Sequence, residues 1–225
     1  MGNQHTEIDD SLRPFIEAQR IFFVATAPLD AAGHVNLSPK GLDSFRILGP
    51  AKVAYLDYVG SGSETIAHVK ENGRIVLTWC AFEGPPNILR LHGRAEVVTP
   101  HDAEFQQLRP LFPVTPEAGR ALIVVTVQRI TTSCGFGVPL YRFDRERSQM
   151  PDWAERKGAD GLREYQQLKN ATSIDGLPAV TWIDAGERVS PESRQRGSHE
   201  GSSKKAPKKQ KHARIRKPGR HSSKR

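Results

Sequence analysis

The hydrophobic pattern between residues 21 and 133 consists of short runs rich in β-branched and aromatic residues, separated by turn residues. Such runs are typical of strands in an antiparallel sheet. Six strands are predicted: 21–27, 34–41, 52–59, 74–82, 87–98 and 121–133. The turn-rich PLDAAGH segment between the first two predicts a hairpin, and Gly93 within the fifth is a natural position for a β-bulge.

Helical spacing occurs between these runs and after the last of them. Four helical segments are predicted: 9–20, about Ser63 to Glu71, 101–112 and, as a polar pair broken by Gly158 and Gly161, 153–170. The strands follow one another mostly in hairpin order, with few helices that could serve as crossovers. The pattern therefore favours a mainly β, closed antiparallel barrel with short helices over an alternating βαβ sheet.

The composition changes abruptly after Gly186. The segment from Glu187 to Arg225 holds 14 Lys and Arg residues against 3 Asp and Glu residues and has no aromatic residue. A segment of this kind cannot bury enough apolar surface to offset its ordering entropy. We expect one folded domain over 1–186 and a disordered basic tail over 187–225.

The tail also explains the charge of the chain, which is +8 in total with a sequence pI of about 9.7. The folded part is mildly acidic, so the basic character belongs to the tail. Two interpretations stay open. The tail could contact nucleic acid or acidic surfaces through counterion release, without aromatic residues for base stacking, or it could be a solvated appendage.

The cysteines and histidines give no sign of a disulfide framework or a metal site. Cys80 and Cys134 form no CxxC pair, and such sparse usage fits a reducing compartment. We expect both thiols to be buried small hydrophobes, with a thiol near a cofactor as the alternative for Cys134. The eight histidines show no metal-ligand spacing, and His68, on the same helical face as Thr65, is a candidate site residue. No signal peptide or membrane-length apolar run is evident, so a soluble cytoplasmic protein without membrane association is expected.

The stretch GSGSET at residues 60–65 has two interpretations that use the same atoms. Ser61 with Glu64 fits a capping box, or Ser63 is the cap, and Asn72-Gly73 supplies the left-handed end of the helix. A helix start also presents unpaired N–H groups and a partial positive charge, which suit an anion. No G-K-[ST] follows, so a nucleotide triphosphate loop is not indicated.

The segment LSPKG at residues 37–41 carries the second polar group of interest. Ser38 and Lys40 lie at the end of a predicted strand, and Pro39 and Gly41 shape its exit. Lys40 could meet a phosphate or the electron-rich pyrimidine edge of a flavin. The alternative is a solvated loop lysine.

Four segments follow one another in a recognisable order: HVNLSPKG, YLDYVGSGSET, ENGRIVLTW and NILRLHGRAEVV. With them the chain from about Arg20 to Arg142 resembles the pyridoxamine 5′-phosphate oxidase-like family of flavin-binding split β-barrels. SPKG, GSGSET, ENGRI, CAFEGPP, SCGFGVP and SIDGLP together look like one subgroup of bacterial and fungal members. The resemblance implies a six-stranded antiparallel split β-barrel and a homodimer with FMN in a groove at the subunit interface.

The resemblance also implies which positions contact the cofactor. The strand at 36–40 matches the stretch along the flavin ring, and Ser63-Glu64-Thr65 falls where typical members carry the Ser-Arg-Lys that holds the phosphate. A further strand offers a polar side chain to the ribityl chain or ring edge. The expected cofactor-binding residues are Asn36, Leu37, Ser38, Lys40, Ser61, Ser63, Thr65, Asn87 and Arg90.

Two departures from the family pattern qualify this expectation. Glu64 and Thr65 stand where two cations are usual, so a phosphate would depend on hydroxyls, N–H groups and Lys40, Arg74 or Arg90. The C-terminal arginine-rich motif of true pyridoxamine phosphate oxidases is also missing, and SIDGLPAVTW and the basic tail stand in its place. Oxidation of vitamin B6 is therefore not expected.

Two functions follow as hypotheses. The first is an FMN-binding oxidoreductase that acts on a small-molecule substrate or NAD(P)H, with catalytic residues unassigned. The second is a non-catalytic protein of the same fold that holds FMN, a deazaflavin or haem, with a tail that contacts nucleic acid or acidic surfaces.

Overall fold

The computed structural model describes residues 2–112 and 118–183, so the predicted tail lies outside the described residues. Eight strands are formed: β1 (Gln4–His5), β2 (Phe22–Thr26), β3 (Asn36–Lys40), β4 (Phe45–Gly49), β5 (Lys52–Tyr58), β6 (Arg74–Cys80), β7 (Ile88–Val98) and β8 (Gly119–Ser133). The helices are α1 (Arg13–Ala18), α2 (Glu64–Asn72), α3 (Ala103–Leu108), a 3₁₀ turn (Arg109–Leu111) and α4 (Gln149–Lys169).

The strands form one antiparallel sheet in the order β3-β2-β6-β7-β8-β5-β4, and β1 pairs with β8. The predicted β2–β3 hairpin is confirmed, with Val24 opposite Ser38. The predicted mainly β, antiparallel split barrel with short helices is also confirmed, but with eight strands instead of six. The strands β1 and β4 were missed because β1 has two residues and every position of β4 is half-buried, so neither shows an alternating pattern.

Aromatic side chains from both ends of the sheet meet in the core. Phe22 of β2 stacks on Trp79 of β6 with ring centroids 5.5 Å apart, and Phe45 of β4 packs edge-on against Trp79 at 4.9 Å. Because β2 and β4 lie near opposite ends of the strand order, the sheet must curl around these rings. Its end strands β3 and β4 do not pair with each other in that order, so the sheet is a split barrel and not the closed barrel that the strand pattern favoured.

Two glycines shape the elements as their sequence context predicts. Gly73 adopts a left-handed φ of 69° after α2 and donates its N–H to Val69, which ends the helix. At Gly93 the β7–β8 register shifts after His92, which is the predicted bulge. A Cβ at Gly93 would collide with the carbonyl oxygen of Thr126, so the close approach of the two strands requires glycine.

The C-terminal part of the described chain packs back on the start of α2. Helix α4 is two helices joined at Gly158, whose φ of 62° and ψ of 174° are not helical, whereas Gly161 continues the second helix. Ala154 and Leu162 of α4 pack on Val59. No helix among the residues with assigned structure is long and apolar enough to span a membrane.

Candidate functional site

The edge strand β3 places its polar side chains on one side. Asn36, Ser38 and Lys40 are half-buried, whereas Leu37 and Pro39 between them are exposed. Asn36 donates from Nδ2 to Thr65 Oγ1 at 2.9 Å, and Ser38 Oγ donates to Asn36 Oδ1 at 2.8 Å. These bonds tie the strand to the first turn of α2. Three predicted cofactor-binding residues, Asn36, Ser38 and Thr65, are thus brought together as one hydrogen-bonded cluster where β3 meets α2, and this cluster is called the polar groove below.

A buried histidine extends this groove inward. His68 of α2 is 0% exposed, and its Nδ1 lies 2.9 Å from Thr26 Oγ1, which also accepts a hydrogen bond from Asn36 Nδ2 at 3.0 Å. Burial lowers the pKa of His68 below its ordinary value of 6.5, so the ring is neutral at pH 7. The other ring nitrogen, Nε2, is buried without a hydrogen-bond partner among the described residues.

The predicted site lysine is paired with a buried carboxylate. Lys40 Nζ lies 2.8 Å from Asp57 Oδ1, and Arg120 Nε of β8 lies 2.7 Å from Asp57 Oδ2. Burial acts to raise the pKa of Asp57, but the charges of Arg120 and Lys40 outweigh it and hold that pKa below its ordinary value of 3.8. The interpretation of Lys40 as a solvated loop lysine is therefore wrong.

The loop at the start of α2 is held by groups that are distant in sequence. Arg120 Nη2 donates to the carbonyl of Gly62 at 2.7 Å, and Asn170 Nδ2 donates to the carbonyl of Gly60 at 2.8 Å. Ser63 is buried and donates from Oγ to the carbonyl of Thr172 at 3.0 Å. The start of α2 is thus enclosed by the chain's own residues 170–172.

Neither Ser61 nor Ser63 caps helix α2 through its side chain. Ser63 occupies the N-cap position, yet its hydroxyl makes no capping hydrogen bond because Thr172 takes it, and Ser61 is exposed. Glu64 folds back over the loop, so that a Cβ at Gly62 would lie 2.5 Å from Glu64 Oε2. A carboxylate therefore lies beside the N-terminus of α2.

The remaining predicted residues lie elsewhere. Arg90 projects from the outer face of β7 and donates to Ser133 Oγ at 3.2 Å. Leu37 is 66% exposed and belongs to the same outer face of the sheet. Asn87 lies just before β7, where its carbonyl accepts the Ala81 amide at 2.8 Å. The predicted set is therefore divided between the polar groove and the outer surface.

A large cleft lies beside the end of β3. It has a volume of about 770 Å³ and is lined by Ile21, Pro39, Lys40, Phe82, Tyr141 and Phe143 among others. Its far wall is the extended segment that follows β8. Pro39 and Lys40 at the end of β3 line the cleft, so a molecule in the cleft would lie next to that strand.

Both expectations about the cysteines were wrong. Cys134 is exposed and Cys80 is half-buried on the outer face of β6. Their apolar sequence neighbours suggested burial. A strand pattern, however, does not show which face of the sheet is packed against other elements. Burial raises the pKa of the Cys80 thiol. No group of three His, Cys, Asp or Glu side chains within 2–112 and 118–183 could hold a metal ion.

Sequence reasoning missed several residues that shape the site. Asp57 gave a signal, since a carboxylate inside the apolar strand KVAYLDY needs buried partners. Nothing in the local sequence identifies Arg120, Asn170 or Thr172 as groups that contact the loop. His34 is also part of this region, and its Nδ1 lies 2.6 Å from Asp175 Oδ1. That contact joins the start of β3 to the C-terminal segment.

Comparison with known proteins gives a consistent sequence match. A model of the family described as pyridoxamine 5′-phosphate oxidase matches residues 8–134. The chain is also 38% identical over 203 residues to the pyridoxamine 5′-phosphate oxidase family protein ustO of Aspergillus flavus, which covers 82% of this chain and 81% of that protein.

Solved structures show a weaker likeness. HupZ of Group A Streptococcus is 24% identical, with 55% of this chain and 91% of that chain covered and a TM-score of 0.43. A FAD binding protein from Mycobacterium smegmatis is 11% identical, with 57% and 97% covered and a TM-score of 0.40. Both TM-scores are below 0.5, so the family assignment depends on the sequence matches.

Proposed function

Because the chain belongs to the pyridoxamine 5′-phosphate oxidase family, we propose that it binds FMN and acts as a flavin-dependent oxidoreductase on a small organic molecule. The observation that carries the proposal is the polar groove. Asn36, Ser38 and Thr65 form one hydrogen-bonded set there, at the positions where the family resemblance expects the flavin.

The residues of the groove suit the chemical parts of FMN. Both N–H groups of the Asn36 amide are donated to Thr26 and Thr65. Asn36 Oδ1 and the Ser38 hydroxyl are therefore the atoms that would meet the ring edge or the ribityl hydroxyls. Lys40 adds a positive charge at the end of β3, although Asp57 shares it. At the phosphate end, Arg120 Nη1 is buried and has no hydrogen-bond partner within the described ranges. Bound FMN would supply the electron-transfer chemistry, and the protein would bind and orient it.

The cleft next to Lys40 supports a small-molecule substrate. Its apolar wall includes Phe82, Tyr141 and Phe143, and Arg20 and Lys40 contribute positive charge. Mostly apolar clefts with a few polar groups are typical of ligand sites. We propose that the substrate enters here, next to the strand that the resemblance places along the flavin ring.

Oxidation of pyridoxamine phosphate is not part of the proposal. The family's C-terminal arginine-rich motif is absent, with SIDGLPAVTW and the basic tail in its place. The SIDGLPAVTW segment is hydrogen-bonded to α2. Lys70 of α2 donates to the carbonyl of Ala179 at 2.9 Å. A homodimer with the cofactor at the subunit interface remains part of the proposal, since the family resemblance implies it.

The visible spectrum of the purified protein tests the proposal. Protein reconstituted with FMN should show a flavin spectrum that bleaches when a reductant such as NADPH or the true substrate is added without oxygen. Retention of FMN without bleaching by NADH, NADPH or a substrate panel would favour a non-catalytic FMN-binding protein. Failure to retain FMN would overturn the proposal. A Soret band would instead indicate haem, and a deazaflavin spectrum would indicate a deazaflavin as the cofactor.

Two variants test whether the polar groove is where FMN binds. Asn36→Ala removes the side chain that joins β3 to α2, so FMN retention should fall by about tenfold or more. Val35→Ala is the matched control, because Val35 is 75% exposed just before the same strand. Equal FMN retention by both variants would argue against the groove as the site.

A further inference from the structure

We infer that the phosphate end of this site is occluded by the chain itself. The Glu64 carboxylate and residues 170–172 occupy the start of α2, and an incoming phosphate displaces them to reach the guanidinium of Arg120. The inference rests on the proposed flavin binding, and it assigns to Arg120 the cationic role that Glu64 and Thr65 cannot fill.

The first observation is the state of the Arg120 guanidinium. The residue is 5% exposed, Nε contacts Asp57 and Nη2 contacts the Gly62 carbonyl. The remaining nitrogen, Nη1, is buried without a hydrogen-bond partner among the residues described. A buried charged donor without an acceptor is costly, and it lies on the same planar group that already contacts the loop before α2. A phosphate oxygen is an acceptor of the right charge for it.

The second observation is that the polar groups at the start of α2 already have partners within the chain. Ser63 Oγ, a predicted phosphate donor, donates to the Thr172 carbonyl at 3.0 Å. Asn170 fixes the loop through the Gly60 carbonyl at 2.8 Å. A phosphate that took the Ser63 hydroxyl would break the first contact. A phosphate at the Ser63 hydroxyl would therefore compete with the contact that residues 170–172 make there.

The third observation concerns the charge of Glu64. Its carboxylate folds back over Gly62, beside the helix N-terminus, where a negative charge is stabilised by the helix dipole. A dianionic phosphate at the same helix end would be repelled by that carboxylate. The Glu64 carboxylate thus lowers the affinity of the helix start for a phosphate as long as its side chain stays in this position.

Comparison of FMN with riboflavin isolates the phosphate, because riboflavin lacks it. Glu64→Gln removes the competing charge, so FMN affinity should rise by about tenfold while riboflavin affinity stays within about twofold. The variant should also lose a little thermal stability, because the helix start loses its negative charge. Glu96→Gln, an exposed carboxylate on β7, is the matched control and should change neither affinity.

The cationic role of Arg120 is tested by Arg120→Lys, which keeps the charge next to Asp57 but removes the guanidinium fork. FMN affinity should fall by about tenfold or more, and riboflavin affinity should stay nearly constant. Arg129→Lys, exposed on the same strand, is the control. Circular dichroism and thermal unfolding establish that each variant is folded before affinities are compared.

The outcomes separate this inference from the proposed function. If wild type and variants bind neither flavin, the flavin proposal fails, and inorganic phosphate then serves as the probe. Phosphate should raise the Tm of Glu64→Gln more than that of wild type, relative to chloride at equal ionic strength. Equal phosphate shifts, or parallel changes in FMN and riboflavin affinity, would overturn the inference.

Discussion

Lys40 at the end of the edge strand β3 reaches the buried carboxylate of Asp57, with 2.8 Å between Nζ and Oδ1. The other oxygen of Asp57 is held by Arg120 at 2.7 Å. Two cations therefore share one buried anion, and one of those cations also contacts the loop at the start of α2. The site is connected to the barrel core through this triad.

Removal of the central carboxylate should destabilise the protein. Asp57→Asn leaves Lys40 and Arg120 facing one another without an anion, and loss of one partner of a buried pair costs about 3–5 kcal/mol. Urea unfolding at pH 7 measures the change. Asp43→Asn removes an exposed ion pair with Arg46 and should cost about 1 kcal/mol or less. Similar losses in the two variants would contradict the role given to Asp57.

The same carboxylate gives a defined pH dependence. The folded state lowers the pKa of Asp57, so its contribution to stability is complete above the unfolded pKa of about 3.9. That contribution is lost as the pH falls through the lower, folded pKa. The stability difference between wild type and Asp57→Asn should shrink below about pH 4. A difference that stays constant down to the acid transition would show that Asp57 does not titrate as described.

His68 predicts a second pH effect at higher pH. The pKa of His68 in the folded protein lies below the ordinary 6.5. Between these two pKa values the unfolded chain therefore binds a proton at His68 that the folded protein does not bind. Stability should fall as the pH drops from 6.5 towards the folded pKa and then level off. His68→Asn should lack this component. Urea unfolding between pH 7.5 and about pH 5 measures it, and parallel curves for the two proteins would count against it.

The bulge glycine is expected to be intolerant of a side chain. A Cβ at Gly93 would collide with the Thr126 carbonyl and lie 2.9 Å from Val125 Cγ1. Gly93→Ala should therefore cost about 1–3 kcal/mol and lower the Tm by several degrees. Gly137→Ala, where a Cβ would meet nothing within 4 Å, is the control. An unchanged Tm for Gly93→Ala would mean that the β7–β8 register can adjust.

Deletion of residues 187–225 should leave folding and FMN uptake unchanged, because that segment has the composition of a chain that forms no core. The full chain should bind a DNA column in a salt-sensitive way, and the truncated chain should not. Thermal unfolding and elution salt are the measurements. A lower Tm after truncation would show that the tail contributes to the fold, and equal elution would remove the nucleic-acid hypothesis.

The sequence by itself determined the features that depend on neighbouring residues. Apolar runs bounded by turn residues located six of the eight strands, and Gly73 and Gly93 marked a helix end and a bulge because only glycine meets those local requirements. The grouping of Asn36, Ser38 and Thr65 was predicted through a family resemblance, since no local pattern brings β3 and α2 together.

Only the tertiary structure decided what surrounds those residues. Arg120 lies 63 residues from Asp57, and Thr172 lies 109 residues from Ser63, so neither contact leaves a trace in sequence spacing. The sequence offered the start of α2 as an anion site. In the folded chain the Ser63 hydroxyl donates to the Thr172 carbonyl and the Glu64 carboxylate lies beside the helix start, because buried donors pair with whichever acceptors the packing brings within reach.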